Sequence, residues 1–142
     1  MMKLFATAAT FFASAVFSAP TDTGSFTNIP ANLTIGTNFT ITWESTLQDT
    51  VYLAYVASGL KPYGEGYNPW TGQYQPVYYE RTEYLGDGLP SSGSFTWTVT
   101  PMPDYTGLGL KTWGPDYVYR FGSTPTHVGV GFGSTDFILV EA

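Results

Sequence analysis

The chain has 142 residues and a net charge of −6, and its four cationic side chains beyond Lys3 (Lys61, Arg81, Lys111, Arg120) are scattered. That excludes the clustered basic patch that nucleic-acid binding requires. Aromatic residues make up 18% of the chain and charged residues only 11%, alongside 16 Gly and 10 Pro, a balance that excludes a disordered chain and points to one all-β domain rich in turns.

The first residues, Met1 to Ser18, carry one positive charge, then an apolar run, then small residues. This is the pattern of a secretory signal peptide. The apolar run is short for a membrane span, which needs about 20 residues. Val16 and Ser18 suit positions −3 and −1, so cleavage is expected after Ser18, with a mature domain over 19–142 beginning at Ala19. A secreted chain could use disulfides, but this one has no Cys, so burial of aromatic rings must supply its stability. The C-terminal stretch Thr135 to Ala142 is too short for a lipid-anchor tail, and the expected product is secreted and soluble, with no membrane anchor in the mature chain.

In chain order, Ser25 to Ile29 reads as a first strand ended by Pro30. Asn32 to Thr37 reads as a turn. In Asn38 to Trp43 the large apolar residues Phe39, Ile41 and Trp43 alternate with polar ones, the period of a half-buried strand. Val51 to Val56 is apolar on both faces and reads as a central strand. Residues 59–76 are broken by Gly and Pro and read as a long loop. Val77 to Leu85 returns as a strand. Gly93 to Val99 echoes the earlier pattern with Phe95, Trp97 and Val99, which suggests two facing surfaces of one core. Residues 101–115 read as a second irregular loop. Tyr117 to Phe121 forms a strand with Arg120 facing water, Val128 to Phe132 a bulged strand, and Phe137 to Val140 closes the domain. The expected fold is an immunoglobulin-like antiparallel β-sandwich of about seven or eight strands, with a small barrel as the alternative.

Gly36-x-x-x-x-Ile-Thr-Trp43, the Val51-x-Leu53 strand, Gly93-Ser-Phe-Thr-Trp-Thr-Val99, a Tyr-rich strand and the terminal Phe-Ile-Leu together resemble the N-terminal immunoglobulin-like domain of the fungal Kre/Knh cell-wall synthesis family, over roughly residues 25–140. The resemblance implies a secreted or wall-associated protein connected with β-1,6-glucan assembly. The chain lacks that family's Ser/Thr-rich stalk and C-terminal region, and the resemblance brings no catalytic residues with it.

Asn32-Leu-Thr34 and Asn38-Phe-Thr40 match the N-glycosylation acceptor. Glu80 and Glu83 resemble a glycosidase pair only by type, because a spacing of three on one strand sends them to opposite faces. His127, the only His, has no nucleophile context and no ligand partner at metal-binding spacing. Secreted copper oxygenases, which are also sandwiches, need an N-terminal His, and the mature start here is Ala19 or Pro20. No catalytic residue, metal or cofactor is therefore expected. The strongest binding candidates are Tyr63, Tyr67, Trp70 and Tyr74, whose flat rings suit the apolar faces of sugars, with Glu65, Asn68 and Gln73 beside them. The competing expectation is that these rings fold back over the sandwich edge. The expected partners are a cell-wall polysaccharide such as β-glucan or, alternatively, a surface protein.

Overall fold

The computed structural model describes residues 23–127 and 129–142. The expected signal peptide, its cleavage point and Val128 lie outside the described residues. The described chain is all-β, in nine strands: β1 (Gly24–Thr27), β2 (Asn32–Thr34), β3 (Asn38–Ser45), β4 (Val51–Asn68), β5 (Gln73–Leu89), β6 (Gly93–Thr98), β7 (Tyr117–Pro125), β8 (Phe132–Gly133) and β9 (Ile138–Val140). Among the described residues no helix is long and apolar enough to cross a membrane.

Two antiparallel sheets, in the orders β1-β3-β6 and β5-β4-β7-β8, pack face to face as a sandwich, and β2 pairs in parallel with β9. The alternating residues of β3 and β6 do what their period dictates. Ile41, Trp43, Trp97 and Val99 are buried, and Phe39 and Phe95 pack half-buried against them. The two strands are not opposed across the core, however. They are hydrogen-bonded neighbours, with Phe39 opposite Trp97 and Ile41 opposite Phe95. Similar strands can pair side by side as readily as they can face each other, and a period of two cannot tell these apart.

The facing wall comes from β4 and β7. Tyr55 meets Trp97 at 4.8 Å between ring centroids, and Phe121 contacts Phe26, Phe39, Trp97 and Phe137 at 4.8–6.2 Å. Aromatic edges and faces thus fill the space that smaller side chains would leave open. The Trp43 indole donates to the Pro90 carbonyl at 3.1 Å, which satisfies its one polar atom. On the opposite, solvent face of the β1-β3-β6 sheet, hydroxyls pair across strands: Thr40 with Thr96 at 3.1 Å, and Thr98 donating to Asn38 Oδ1 at 2.9 Å.

Three further expectations are corrected here. Asn32 to Thr34 is a strand, because its backbone finds a partner in the last strand of the chain, a long-range pairing that local turn chemistry does not reveal. The second half of the expected 128–132 strand gives way to a two-residue strand starting at Phe132. Arg120 does not face water: its side chain is 1% exposed and pairs with Asp136. Burial drives its pKa down to about 10, while the Asp136 carboxylate opposes that fall.

Candidate functional site

The principal departure from the sequence reading is the segment 59–76. It is a hairpin that extends β4 and β5 away from the sandwich, with Gly64 opposite Val77, Gly66 opposite Gln75, Tyr67 opposite Tyr74 and Asn68 opposite Gln73. Four residues make its tip. Asn68 Oδ1 accepts from the Trp70 amide at 2.9 Å, the Asn68 carbonyl accepts from the Gly72 amide at 2.8 Å, and Gly72 adopts φ 73°. Asn before Pro, with Gly where the chain must turn left-handed, is the chemistry of a tight turn. Gly66 also permits close approach, since a Cβ there would lie 2.9 Å from Val77 Cγ2.

The pairing separates the four aromatic candidates. Tyr67 and Tyr74 face each other directly, with ring centroids 5.4 Å apart and planes at 64°. Trp70 crowns the turn and is 93% exposed, and Tyr67 and Tyr74 are exposed at the same tip, while the exposed Tyr78 lies opposite Pro62 nearer the base. Alternation along β5 puts Tyr74 and Tyr78 on one face. Asn68 Nδ2 donates to Gln75 Oε1 at 3.2 Å on the other. The rings therefore do not fold back over the sandwich edge. Tyr63 is different: it lies at the base of the arm and packs half-buried against the core, apart from the tip.

Register shifts between Ser58 and Pro62 and between Pro62 and Gly64 mark that base as irregular. Such irregularities re-aim side chains and commonly border binding sites. Here they open a cleft of about 470 Å³ against the segment before β7, lined in part by Lys61, Tyr63, Lys111, Trp113, Asp116 and Tyr117. Gly114, at φ 100°, turns the chain along the far wall. Lys61 pairs with Asp116 at 3.3 Å, and the Lys111 ammonium sits 4.0 Å from the Trp113 ring centroid. Sequence reasoning marked Trp113 only as part of a loop and gave the lysines no role.

The irregular 101–115 segment is held by its own polar contacts. Asp104 accepts from the Thr106 amide at 2.9 Å and the Leu110 amide at 2.7 Å, and the Thr106 hydroxyl bond, together with these, holds its carboxyl below the usual range. Tyr79 donates to the Pro103 carbonyl at 2.5 Å and Tyr105 to the Glu80 carbonyl at 2.9 Å, tying this segment to β5.

Glu80 lies opposite Ser58 and Glu83 opposite Tyr55 on β5, so the odd spacing sends their side chains to opposite faces. Glu83 is engaged by Arg81 at 3.0 Å. His127 Nδ1 contacts Asp49 Oδ2 at 3.0 Å and its amide donates to the same oxygen at 2.8 Å, an arrangement that ties two loops together. Among the described residues no three His, Cys, Asp or Glu side chains gather to hold a metal. Asn32 and Asn38 are both exposed on strands, so a glycan at either would project away from the core. The chain matches no protein-family model and none of the curated proteins.

Proposed function

We propose that this chain is a secreted, non-catalytic immunoglobulin-like module of the fungal cell surface that holds polysaccharide through the tip of its β4–β5 arm. The observation that carries this reading is the shared exposure of Tyr67, Trp70 and Tyr74 at the end of a hairpin. Exposed aromatic groups of this kind are costly in water unless they meet a partner. The apolar face of a sugar ring suits Trp70 and the exposed Tyr67 and Tyr74 rings of the same tip.

Two further features support the immunoglobulin-like part. The order β1-β3-β6 against β5-β4-β7-β8 agrees with that sandwich type. So does the β7 tyrosine, Tyr119, whose hydroxyl reaches back to the backbone upstream of its strand. The resemblance to the Kre/Knh domain supports the wall-facing compartment, and the accessible Asn32 and Asn38 suit N-glycosylation there.

A second reading has its own observation. The Tyr67 and Tyr74 planes stand at 64° and so do not form one flat platform, which suits insertion into a protein pocket better than stacking along a chain of sugars. Retention on insoluble β-glucan and chitin, beside an inert protein, separates the two. The polysaccharide reading expects retention that Trp70→Ala removes. No retention of the natural chain above the control overturns it and leaves the tip to a surface-protein partner.

A further inference from the structure

The cleft at the base of the arm combines features that the tip lacks. Its volume, about 470 Å³, lies within the roughly 300–1,000 Å³ of small-molecule sites. Three rings, from Tyr63, Trp113 and Tyr117, contribute to its walls. It also gathers charge in an unexpected place. The molecule carries −6 overall, yet Lys61 and Lys111 both stand here. The remaining described cations are committed elsewhere, Arg81 to Glu83 and Arg120 to Asp136. Lys61 has Asp116 as its partner. Lys111 has no carboxylate partner among the described residues and is held over the Trp113 ring instead. Among the lining side chains two ammonium groups stand beside one carboxylate and three rings. The Asp104 carboxylate also acts on Tyr117 but is taken up by the Thr106 hydroxyl and the Thr106 and Leu110 amides.

We infer that this cleft binds a uronic-acid unit of an acidic oligosaccharide. The sugar carboxylate would meet Lys111 and share Lys61 with Asp116. The C–H face of the ring would lie against the aromatic walls, and Asp116 would accept from a ring hydroxyl. A neutral sugar would use the walls but leave the Lys111 charge unanswered, so the cleft selects for charge where the arm tip does not. The inference stands on the cleft alone and survives if the arm binds nothing.

The test is calorimetric titration of the full mature chain with oligogalacturonate, with a neutral β-glucan oligosaccharide and with acetate. Oligogalacturonate is expected to bind, and the other two much more weakly. Lys111→Gln should weaken it by about tenfold, as loss of a charge-assisted hydrogen bond does, while leaving the melting temperature unchanged. Raising the salt concentration should weaken it several-fold. Trp70→Ala should leave it unchanged, which separates this site from the arm. Trp113→Ala would also be weakened, but it touches the core, so Lys111→Gln decides. Equal affinity for the neutral oligosaccharide, equal binding by Lys111→Gln, or loss of binding in Trp70→Ala would each overturn the inference, as would no oligogalacturonate binding at all.

Discussion

The Tyr119 hydroxyl donates to the Thr112 carbonyl at 2.5 Å, and it also accepts from the Met102 amide at 2.9 Å. Tyr119 is fully buried, so one phenol fixes both ends of the irregular segment between β6 and β7. Burial raises its pKa, although the bonds to Met102 and Thr112 oppose the rise. Tyr119→Phe keeps the ring and leaves two buried backbone groups without this partner. A loss of about 1–3 kcal/mol is expected, read as a lowered denaturant midpoint. An unchanged midpoint would mean that the segment is anchored elsewhere.

Trp43 and Trp97 are 1% and 6% exposed and stand on neighbouring strands of one sheet. Truncating either to Ala should cost about 3–5 kcal/mol, a large share of the roughly 5–15 kcal/mol that holds a domain together. Little folded protein should remain at 37 °C. A melting temperature within a degree or two of the natural chain would show that the core does not depend on that ring.

Arg120 and Asp136 form a pair in which the arginine is buried and the aspartate is half-exposed. Asp136→Asn should destabilise by about 1–3 kcal/mol, because a buried cation loses its charged acceptor. Asp136→Glu should recover part of that loss. Equal stability of all three proteins would mean that solvent already screens the pair.

Acid should weaken the fold. His127 holds the Asp49 carboxyl below its ordinary value, and Thr106 does the same for Asp104. A carboxyl lowered in the folded state adds stability above its unfolded pKa and loses it as pH falls through the folded value. Partial burial raises Glu80, which acts in the opposite sense but is outnumbered. The melting temperature should therefore fall as pH drops below about 4, and Asp104→Asn should fall less steeply over the same range. A flat profile between pH 5 and 2.5 would contradict this account.

Trp70→Ala is expected to change stability by no more than about 0.5 kcal/mol, as for other exposed positions, while removing polysaccharide retention. The binding it removes should be weak, micromolar to millimolar, or about 4–8 kcal/mol, because a shallow tip covers little area. Binding through neutral rings should also persist in high salt. A strong salt dependence would instead assign retention to the charged cleft.

The sandwich was legible because its strands carry the signal at its clearest. Phe39, Ile41 and Trp43 repeat every second residue, as do Phe95, Trp97 and Val99. What that period could not give was who pairs with whom, so the echo strands were expected to face one another rather than to lie side by side. The arm was hidden by its composition. Gly64, Gly66, Pro62 and Pro76 read as loop punctuation, yet Gly64 and Gly66 alternate with Tyr63, Glu65 and Tyr67 along β4 up to the Asn68–Gly72 turn. That weak period of two was present, and the missing side chains obscured it. Alternation alone puts Arg120 on the solvent side, because its burial depends on Asp136, sixteen residues later in the chain. The cleft is illegible for a similar reason: Lys61 and Lys111 come to line one cleft only through the fold, from segments fifty residues apart.

The core cluster reaches out along the arm only as far as Tyr63 on one strand and Tyr79 on the other. Beyond them the hairpin holds itself with backbone pairing and the Asn68 turn. Selection for folding therefore has little hold on residues 67–74, apart from Asn68 and Gly72. Those positions are free to drift under whatever surface they touch. Related chains could keep the same interior and recognise different surfaces by exchanging a handful of side chains at one end.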